Sequence, residues 1–391
     1  MNLSVPISSW DEKFVEIISN YAEVDEFYGK FAHDFVGGGK PVALLCPSSR
    51  KQVERCIGKI HSRGMKINYL LNSVCMDNIE FTRRGRNEIC NILDWLSRMN
   101  VDKVTVSIPF LMQLIKKRYP HFKVVVGQFA AVSTLEGVRS WISLGADQII
   151  LHDSFISRDF PFLRSLSKYK DCVFTLIVNE GCMYSCPLFH FHNCLTSHSS
   201  QAGHKLKGWY LDYYRYLCNY KKILNPQEII KAVWIRPEDL HFYEEAGISH
   251  FKIVDRTFPD ELIIDFVKAY SKRNYDGNLM DLLSYSRNMP SSSLMKKVRM
   301  IKYLFKPSLV DISLLFKLKE AVGPWKMEIN NKDLDGFLEF FIKNGDCRTK
   351  DCRECGYCKK IAEKVIKIDS QWQKEMVALY KGILEQIISG N

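Results

Sequence analysis

The sequence predicts an α/β protein, and within that class a (β/α)8 barrel of the TIM type. Three observations lead to this prediction. Short apolar, β-branched runs recur along the chain, and each is nearly continuous in apolar residues, as expected for a strand buried on both faces of a parallel sheet. Amphipathic, helix-like segments lie between these runs. The predicted strand–helix units fit between residues 41 and 257, which is compatible with the roughly 250 residues of a complete barrel.

The predicted strands and helices alternate in order. The segment after the first strand ends at Gly64, which can serve as a helix C-cap, and similar segments follow the second, third and fourth strands and join the seventh to the eighth. A doubly wound open sheet is the alternative, but no G-x-G-x-x-G follows the first strand, which weakens a dinucleotide-binding interpretation. The predicted strands are 41–47, 66–73, 103–109, 123–128, 148–154, 173–179, 232–239 and 250–257.

One interval is much longer than the other connections, and it separates Asn179 from Ala232. In a (β/α)8 barrel the loop after a strand lies at the C-terminal face, where active sites form. A loop of this length is usually functional or disordered, and the aromatic-rich segment GWYLDYYRYLCNY (208–220) argues against disorder. We therefore predict a long insertion after strand 6, on the catalytic face.

The pattern divides the chain into three predicted regions. Residues 1–275 form the barrel and carry the first group of cysteines. Residues 276–325 form a helical connector, and residues 326–391 form a small, mainly helical C-terminal module with four cysteines.

Composition and charge restrict the class of protein. The chain is 46% hydrophobic and 25% charged, an ordinary globular balance. We see no signal peptide and no apolar run long enough to cross a membrane, so we predict a cytoplasmic protein with no membrane partner. The formal net charge of +11 fits either a solvated basic surface or an anionic partner, such as a carboxylate or phosphorylated substrate or RNA.

The 13 cysteines are the most informative residues. Thiols stay reduced in the cytosol, and an odd number suits a disulfide framework poorly, so clustered cysteines indicate metal binding or catalysis. Cys182, Cys186 and Cys194 form C-x3-C-x7-C at the start of the insertion, and Cys218 is the next cysteine. Metal ligation is the favoured interpretation, and burial of some of them as small hydrophobic residues is the alternative.

Neighbouring residues leave further alternatives open. His190 and His192 alternate with aromatic residues and could be metal ligands, substrate contacts or surface residues.

The C-x3-C start also invites comparison with radical SAM enzymes, whose signature has a third cysteine three residues later. Phe189 occupies that position, and the motif follows the sixth predicted strand instead of the first. A divergent radical SAM-like enzyme is therefore an alternative only.

A second group of cysteines lies near the C-terminus. Cys347, Cys352, Cys355 and Cys358 form C-x4-C-x2-C-x2-C, with the turn-compatible Gly356 between the last two. Four thiolates at this spacing can surround one iron–sulfur cluster or one zinc ion. The compact spacing is nearer to that of ferredoxins than to paired zinc knuckles, so a 4Fe–4S cluster with a structural role is favoured and zinc is the alternative.

Charged residues at predicted strand ends complete the predicted site. Arg236 or Arg256 would bind a carboxylate through two parallel hydrogen bonds, and Glu238 could act as a general acid or base. Alternatively, Arg236 and Glu238 form a structural ion pair. A lysine at the end of a buried strand, as at Lys252, is costly unless it is partnered or functional. The predicted catalytic residues are Arg236, Glu238, Lys252 and His192.

Three stretches resemble peptidase family U32, the collagenase-like proteins. They are RDFPFLRSL (158–166), LIVNEGCMYSCP (176–187) and WIRPEDLHFYEEAGISHFKIVDRT (234–257). The resemblance covers roughly residues 40–275, and NKDLDGFLEFF with the following cysteines is similar to an extension that some members carry.

The resemblance implies a (β/α)8 barrel with a 4Fe–4S cluster held by four cysteines. Three of those ligands match Cys182, Cys186 and Cys194, and we assign the fourth to Cys218, with Cys46 and Cys75 as alternatives. Despite the family's name, characterised members look less like proteases than like iron–sulfur proteins, and several act in oxygen-independent hydroxylation of RNA bases or of a quinone precursor.

We therefore predict an iron–sulfur oxidoreductase that carries out an oxygen-independent redox modification, with hydroxylation the leading version, of an RNA base, a peptide or a small metabolite. Two alternatives remain beside the radical SAM-like enzyme. One is a collagenase-like cysteine or metallo-peptidase, for which neither G-x-S-x-G nor H-E-x-x-H is present. The other is a non-catalytic iron–sulfur or zinc scaffold protein.

Overall fold

The computed structural model describes residues 1–152, 156–205, 211–283, 312–321, 323–345, 347 and 350–390. Eight parallel strands close into a barrel in chain order, and the eighth strand pairs with the first. This confirms the predicted (β/α)8 architecture. The strands are β1 (Asn2–Pro6), β2 (Val24–Gly29), β3 (Lys66–Leu71), β4 (Lys103–Val106), β5 (Lys123–Val126), β6 (Gln148–Ile150), β7 (Val173–Ile177) and β8 (His250–Lys252).

Helices follow the strands and surround the barrel. Several begin with a side-chain cap: Ser49, Thr82 and Thr134 each accept a hydrogen bond from a backbone N–H in the first turn. The helices of the barrel region are α1 (Glu12–Ile18), α2 (Arg50–Ser62), α3 (Arg83–Arg98), α4 (Pro109–Arg118), α5 (Leu135–Ser143), α6 (Phe160–Ser165), α7 (Phe189–Ser200), α8 (Tyr213–Leu224), α9 (Gln227–Lys231), α10 (Leu240–Glu245) and α11 (Asp260–Lys272).

Two predicted strands are wrong. The run 41–47 contains a short 3-10 helix, Val42–Leu44, and prolines at both ends of the run remove backbone donors that a central strand requires. The run 232–239 is buried but leads into another 3-10 helix, Pro237–Asp239. Only isolated backbone bonds, such as that from Ile235 N to Val178 O, join this run to the end of β7.

The two strands that complete the barrel, β1 and β2, lie at the N-terminus and were not predicted. Both mix apolar with polar residues: Ser4 lies in β1, and Asp25 and Glu26 lie in β2. Neither therefore shows a continuous apolar run. Because the barrel begins at residue 2, the long insertion follows the seventh strand and not the sixth.

The barrel interior explains these polar strand residues. Phe27 and Val104 pack outward in the main hydrophobic core, whereas their neighbours Glu26 and Thr105 point inward. Glu26 accepts a hydrogen bond from Ser4 Oγ at 2.7 Å and forms an ion pair with Lys103 Nζ, also at 2.7 Å. The inner layer is thus a satisfied polar network, which is the condition for burying such groups.

The C-terminal residues pack against the barrel and its insertion. Two short antiparallel strands, β9 (Met327–Ile329) and β10 (Ile366–Ile368), form a small separate sheet. The predicted connector 276–325 lies largely outside the described residues, and the predicted domain limits stay predictions. Among the residues described, no helix has the length and apolarity needed to cross a membrane. The remaining helices are α12 (Ile312–Glu320), α13 (Glu339–Asn344), α14 (Cys352–Cys355), α15 (Tyr357–Val365) and α16 (Ser370–Ser389).

Candidate functional site

A pocket opens at the C-terminal end of the barrel, where the strand ends meet helices of the long insertion. The strand side is formed by residues at or just after the ends of β3, β5, β7 and β8, including Asn72, Gln128 and Lys252. Helices α7 and α8 of the insertion form the opposite wall. This is the face on which (β/α)8 enzymes build their active sites.

Three cysteines of the insertion line this pocket: Cys182 and Cys186 before α7, and Cys218 on α8. We call them the pocket thiols. Burial raises the pKa of Cys182 well above its ordinary value, and the neighbouring Cys218 and Cys186 raise it further. Burial likewise raises the pKa of Cys186, with Cys218 again contributing. The three thiols are therefore close enough to influence one another electrostatically.

The structure places Cys194, the third residue of the predicted ligand set, away from the pocket thiols. It lies on α7 and faces Cys75 and His198, with its Sγ 4.0 Å from His198 Nε2. Cys75 raises the pKa of Cys194 after the larger effect of burial. Cys46, the other alternative for a fourth ligand, is close to Ser8 at 3.9 Å and is not part of the pocket wall.

Basic side chains occupy the strand side of the pocket. Lys252 ends β8, is 6% exposed, and its Nζ lies 3.6 Å from the ring centroid of Tyr28. Burial lowers the pKa of Lys252 to about 7; Glu26 opposes this shift and Arg256 adds to it. Arg256 is also buried and lines the pocket, and Lys40 forms an ion pair there with Asp255.

His192 lines the pocket from α7. Its Nε2 lies 2.8 Å from Asp212 Oδ2, and Asp212 also caps α8 by accepting a hydrogen bond from Arg215 N. Burial would raise the pKa of Asp212, but the hydrogen bond to His192 and its charge lower it overall. The pair links the two helices that cover the pocket. His190, by contrast, is exposed.

Arg236 and Glu238 lie elsewhere, which corrects their predicted position on a barrel strand. Arg236 is 2% exposed and binds Asp239, not Glu238, through two hydrogen bonds of 2.8 Å each. Its Nη1 donates to Asp335 Oδ1 at 2.9 Å. Burial opposes the charge on Arg236, but the bonds to Asp239 and Asp335 raise its pKa. Its guanidinium is thus occupied in joining the barrel to the C-terminal region.

Glu238 is held in the same junction. Its carboxylate accepts hydrogen bonds from Tyr275 N at 2.8 Å, Asn331 Nδ2 at 3.0 Å and Lys332 Nζ at 2.9 Å. Despite burial, these bonds lower its pKa. A carboxylate kept ionised by several donors is poorly suited to act as a general acid, and neither Glu238 nor Arg236 lines the pocket.

The C-terminal cysteines form a second group beside the barrel. Burial raises the pKa of Cys347 to about 11, Arg158 opposes the shift, and the thiols of Cys358, Cys352 and Cys355 add to it. The three other thiols are therefore close enough to Cys347 to influence it electrostatically. The Arg158 guanidinium also stacks over Trp234 and two phenylalanines at 4.8–5.2 Å from their ring centroids, which anchors this region against the barrel.

Sequence reasoning missed several charged residues of the pocket, among them Glu180, Asp212 and Lys222. Glu180 Oε1 accepts a hydrogen bond from Cys182 Sγ at 3.2 Å. Lys222 is 2% exposed, donates to the Gly181 carbonyl, and works against the rise in pKa at Cys182. Lys222 lies four residues after Cys218 on α8, so the helical period places both on one face. That spacing was the available signal.

Comparison with known proteins gives consistent results. The family model for peptidase family U32 matches residues 19–278. An uncharacterized protease of Methanocaldococcus jannaschii, MJ1657, is 28% identical over 335 residues, which cover 86% of this chain and 87% of that protein.

Solved structures show weaker similarity. The U32 peptidase Mk0906 has 21% identity and a TM-score of 0.47, covering 65% of this chain and 93% of that one. A chitinase of Rhizomucor miehei has 12% identity and a TM-score of 0.38, covering 70% of this chain and 100% of that one. The family match spans most of the barrel and the insertion with the pocket thiols, so the chain belongs to peptidase family U32.

Proposed function

We propose that this chain is an iron–sulfur enzyme that carries out an oxygen-independent redox modification, in its leading form a hydroxylation, of an anionic substrate at the barrel mouth. One observation carries the proposal: Cys182, Cys186 and Cys218 line the same pocket as the buried cation Lys252. A redox cofactor and an anion-binding group would then face one substrate.

The donor set fits an iron–sulfur cluster. Thiolates are the ligands of such clusters, and the pocket thiols are the cysteines found among the described residues of the pocket wall. The buried ammonium of Lys222 favours thiolates at Cys182 and Cys186. A bound cluster would supply electron transfer. The fourth cluster position would be filled by a group other than these three thiols.

The basic residues would bind and orient the substrate. Lys252 and Arg256 are buried on the strand side of the pocket. A carboxylate or phosphate group bound there would compensate for the hydration that these side chains lose on burial. Because the pKa of Lys252 is about 7, a bound anion would hold the proton on its Nζ. The overlying helices α7 and α8, joined through His192 and Asp212, would limit access of water.

A peptidase is the second candidate because the family and the relative MJ1657 carry that description. A cysteine peptidase needs a thiolate nucleophile. Burial disfavours a thiolate at Cys182, because it raises the pKa of this thiol well above its ordinary value. That shift favours metal ligation, in which the metal itself stabilises the thiolate, and disfavours a free nucleophile.

The test is metal analysis of the full chain purified without oxygen. We expect iron and acid-labile sulfide, with a visible absorption band that bleaches on reduction. Cys182→Ser and Cys218→Ser should each lose the iron assigned to the pocket, whereas Cys46→Ser, a matched substitution of a half-buried cysteine outside the pocket, should retain it. Zinc without sulfide in the wild-type protein would overturn the redox proposal.

Peptide cleavage distinguishes the second candidate. A peptidase should cleave a denatured-collagen or casein substrate, and its activity should depend on Cys182 but not on iron. Cleavage by the iron-free wild-type protein would replace the proposed function with the peptidase. A cluster that cannot be reduced or oxidised would support the structural scaffold instead.

The C-terminal cysteines are proposed to hold a separate metal centre. Cys352 and Cys355 lie on the short helix α14, and Gly356 follows in the left-handed conformation at φ 61°, which a turn between ligands requires. A 4Fe–4S cluster is favoured and zinc is the alternative. Cys352→Ser with Cys355→Ser should remove this metal and leave the pocket iron in place.

A further inference from the structure

A cluster of cysteines and histidines lies outside the pocket, between the loop after β3 and helix α7. Cys75 belongs to the loop, Cys194 and His198 lie one turn apart on α7, and His204 follows that helix. We call these four residues the Cys–His cluster. The Sγ atoms of Cys75 and Cys194 and a ring nitrogen of His198 all lie within 4.8 Å of one another.

A carboxylate connects the two histidines of the cluster. Asp77 Oδ1 lies 3.3 Å from His198 Nε2, and Asp77 Oδ2 lies 3.0 Å from His204 Nε2. The two imidazole rings are stacked, with centroids 4.4 Å apart and planes inclined by 10°. Ligand atoms of Asp77, His198 and His204 also fall within 4.8 Å of one another. Both rings therefore direct their Nε2 atoms toward the Asp77 carboxylate.

We propose that the Cys–His cluster is a Zn²⁺ site. Two thiolates and two imidazoles are a standard tetrahedral set for structural zinc, with Zn–S distances of about 2.3 Å and Zn–N distances of about 2.0–2.1 Å. The donor atoms of Cys75, Cys194 and His198 already lie within 4.8 Å of one another. His204, whose ring stacks on that of His198, would complete the set by a side-chain rotation. A mixed thiolate–imidazole set favours zinc over a 4Fe–4S cluster, for which four thiolates are usual.

The surrounding contacts show what such a site would stabilise. Val74 N donates to Ser197 Oγ at 3.0 Å, and Gln201 Nε2 donates to Ser73 Oγ at 2.9 Å. These bonds join the same two segments as the cluster. Zinc would fasten α7, which is a wall of the pocket, to the barrel loop after β3. This inference is independent of iron chemistry at the pocket thiols.

Co²⁺ titration of the full chain, after removal of zinc with a chelator, tests the site because tetrahedral Co²⁺ bound by thiolates has intense visible bands. We expect Cys75→Ser and His204→Asn each to bind about one Co²⁺ fewer than wild type, in line with one four-ligand site. The controls are Cys46→Ser and His61→Asn. His61 makes a similar contact with a carboxylate, Asp102, at 3.1 Å, but lies in no cysteine group.

Two results would overturn the zinc site. One is an unchanged Co²⁺ stoichiometry in both cluster variants. The other is a Cys75–Cys194 disulfide in wild-type protein kept under reducing conditions, detected by mass after thiol alkylation. Circular dichroism identifies any variant that fails to fold, and His204→Asn serves as the second variant if Cys75→Ser does. Iron and sulfide contents, measured on the same samples, should stay unchanged, which separates failure of this site from failure of the pocket cluster.

Discussion

Two buried cations, Arg236 and Lys252, occupy contrasting environments. Arg236 is neutralised by Asp239 and Asp335, and it also donates to the Asn331 carbonyl at 2.7 Å. Lys252 contacts the face of Tyr28 and forms no ion pair with any residue that the structure describes. A buried cation that is paired with carboxylates has a structural role. A buried cation that lines a pocket and has no ion-pair partner is available to a ligand.

The largest expected effect comes from removing the paired cation. Arg236→Ala leaves Asp239 buried without its partner, so we expect the free energy of unfolding to fall by about 3–5 kcal/mol. Chemical denaturation measures the loss. Arg353→Ala is the matched control, because Arg353 forms an exposed ion pair with Asp351; equal stability losses in both variants would show that Arg236 is not a structural cation.

The second expected effect is on ligand binding at the unpaired cation. Lys252→Met keeps the length of the side chain but removes its charge, and a hydrogen bond to a charged group contributes about 1.5–3 kcal/mol. We therefore expect malonate or inorganic phosphate to bind roughly 10- to 100-fold more weakly, as measured by calorimetry. Arg273→Ala, which breaks an exposed ion pair with Glu244, should leave affinity unchanged. Unchanged affinity in Lys252→Met would remove the lysine from the proposed site.

The third expected effect is the pH dependence of stability. The pKa of Lys252 is lowered to about 7 in the folded protein, from its ordinary 10.5. Between these values the unfolded chain holds a proton that the folded protein has released, so this residue makes stability increase as pH rises from about 7 toward 10.5. Comparing the denaturation of wild type and Lys252→Met across this pH range isolates the contribution of Lys252 to stability. A pH profile identical in both proteins would contradict the lowered pKa.

The strands that could be predicted are those buried on both faces by apolar side chains. The runs at 66–73 and 103–109 contain β3 and β4, because a continuous apolar pattern is a local property of the sequence. The same rule failed at Glu26, whose acidic side chain is buried inside the barrel by partners on other strands. It also selected 232–239, which is buried without being part of the barrel.

The grouping of the cysteines into ligand sets shows the same limit of local sequence patterns. Cys194 was assigned with Cys182 and Cys186 because it is near them in sequence, yet α7 begins at Phe189 and carries it toward Cys75. The spacing of Cys194 and His198, four residues apart on one helix, could have indicated a shared face. Cys75 could be named from the sequence only as an alternative fourth ligand, because its proximity to Cys194 and His198 depends on how the insertion crosses the barrel.

The sequence by itself determined the fold class, the family and the presence of clustered thiols, since hydrophobic periodicity and short motifs are written in neighbouring residues. Only the tertiary structure decided which thiols share a pocket, and that Arg236 serves a junction while Lys252 faces the barrel mouth. The physical reason is that burial and pairing are set by contacts between segments distant in sequence. Those contacts join the insertion to the strand ends and the barrel to the C-terminal residues, and no local pattern encodes them.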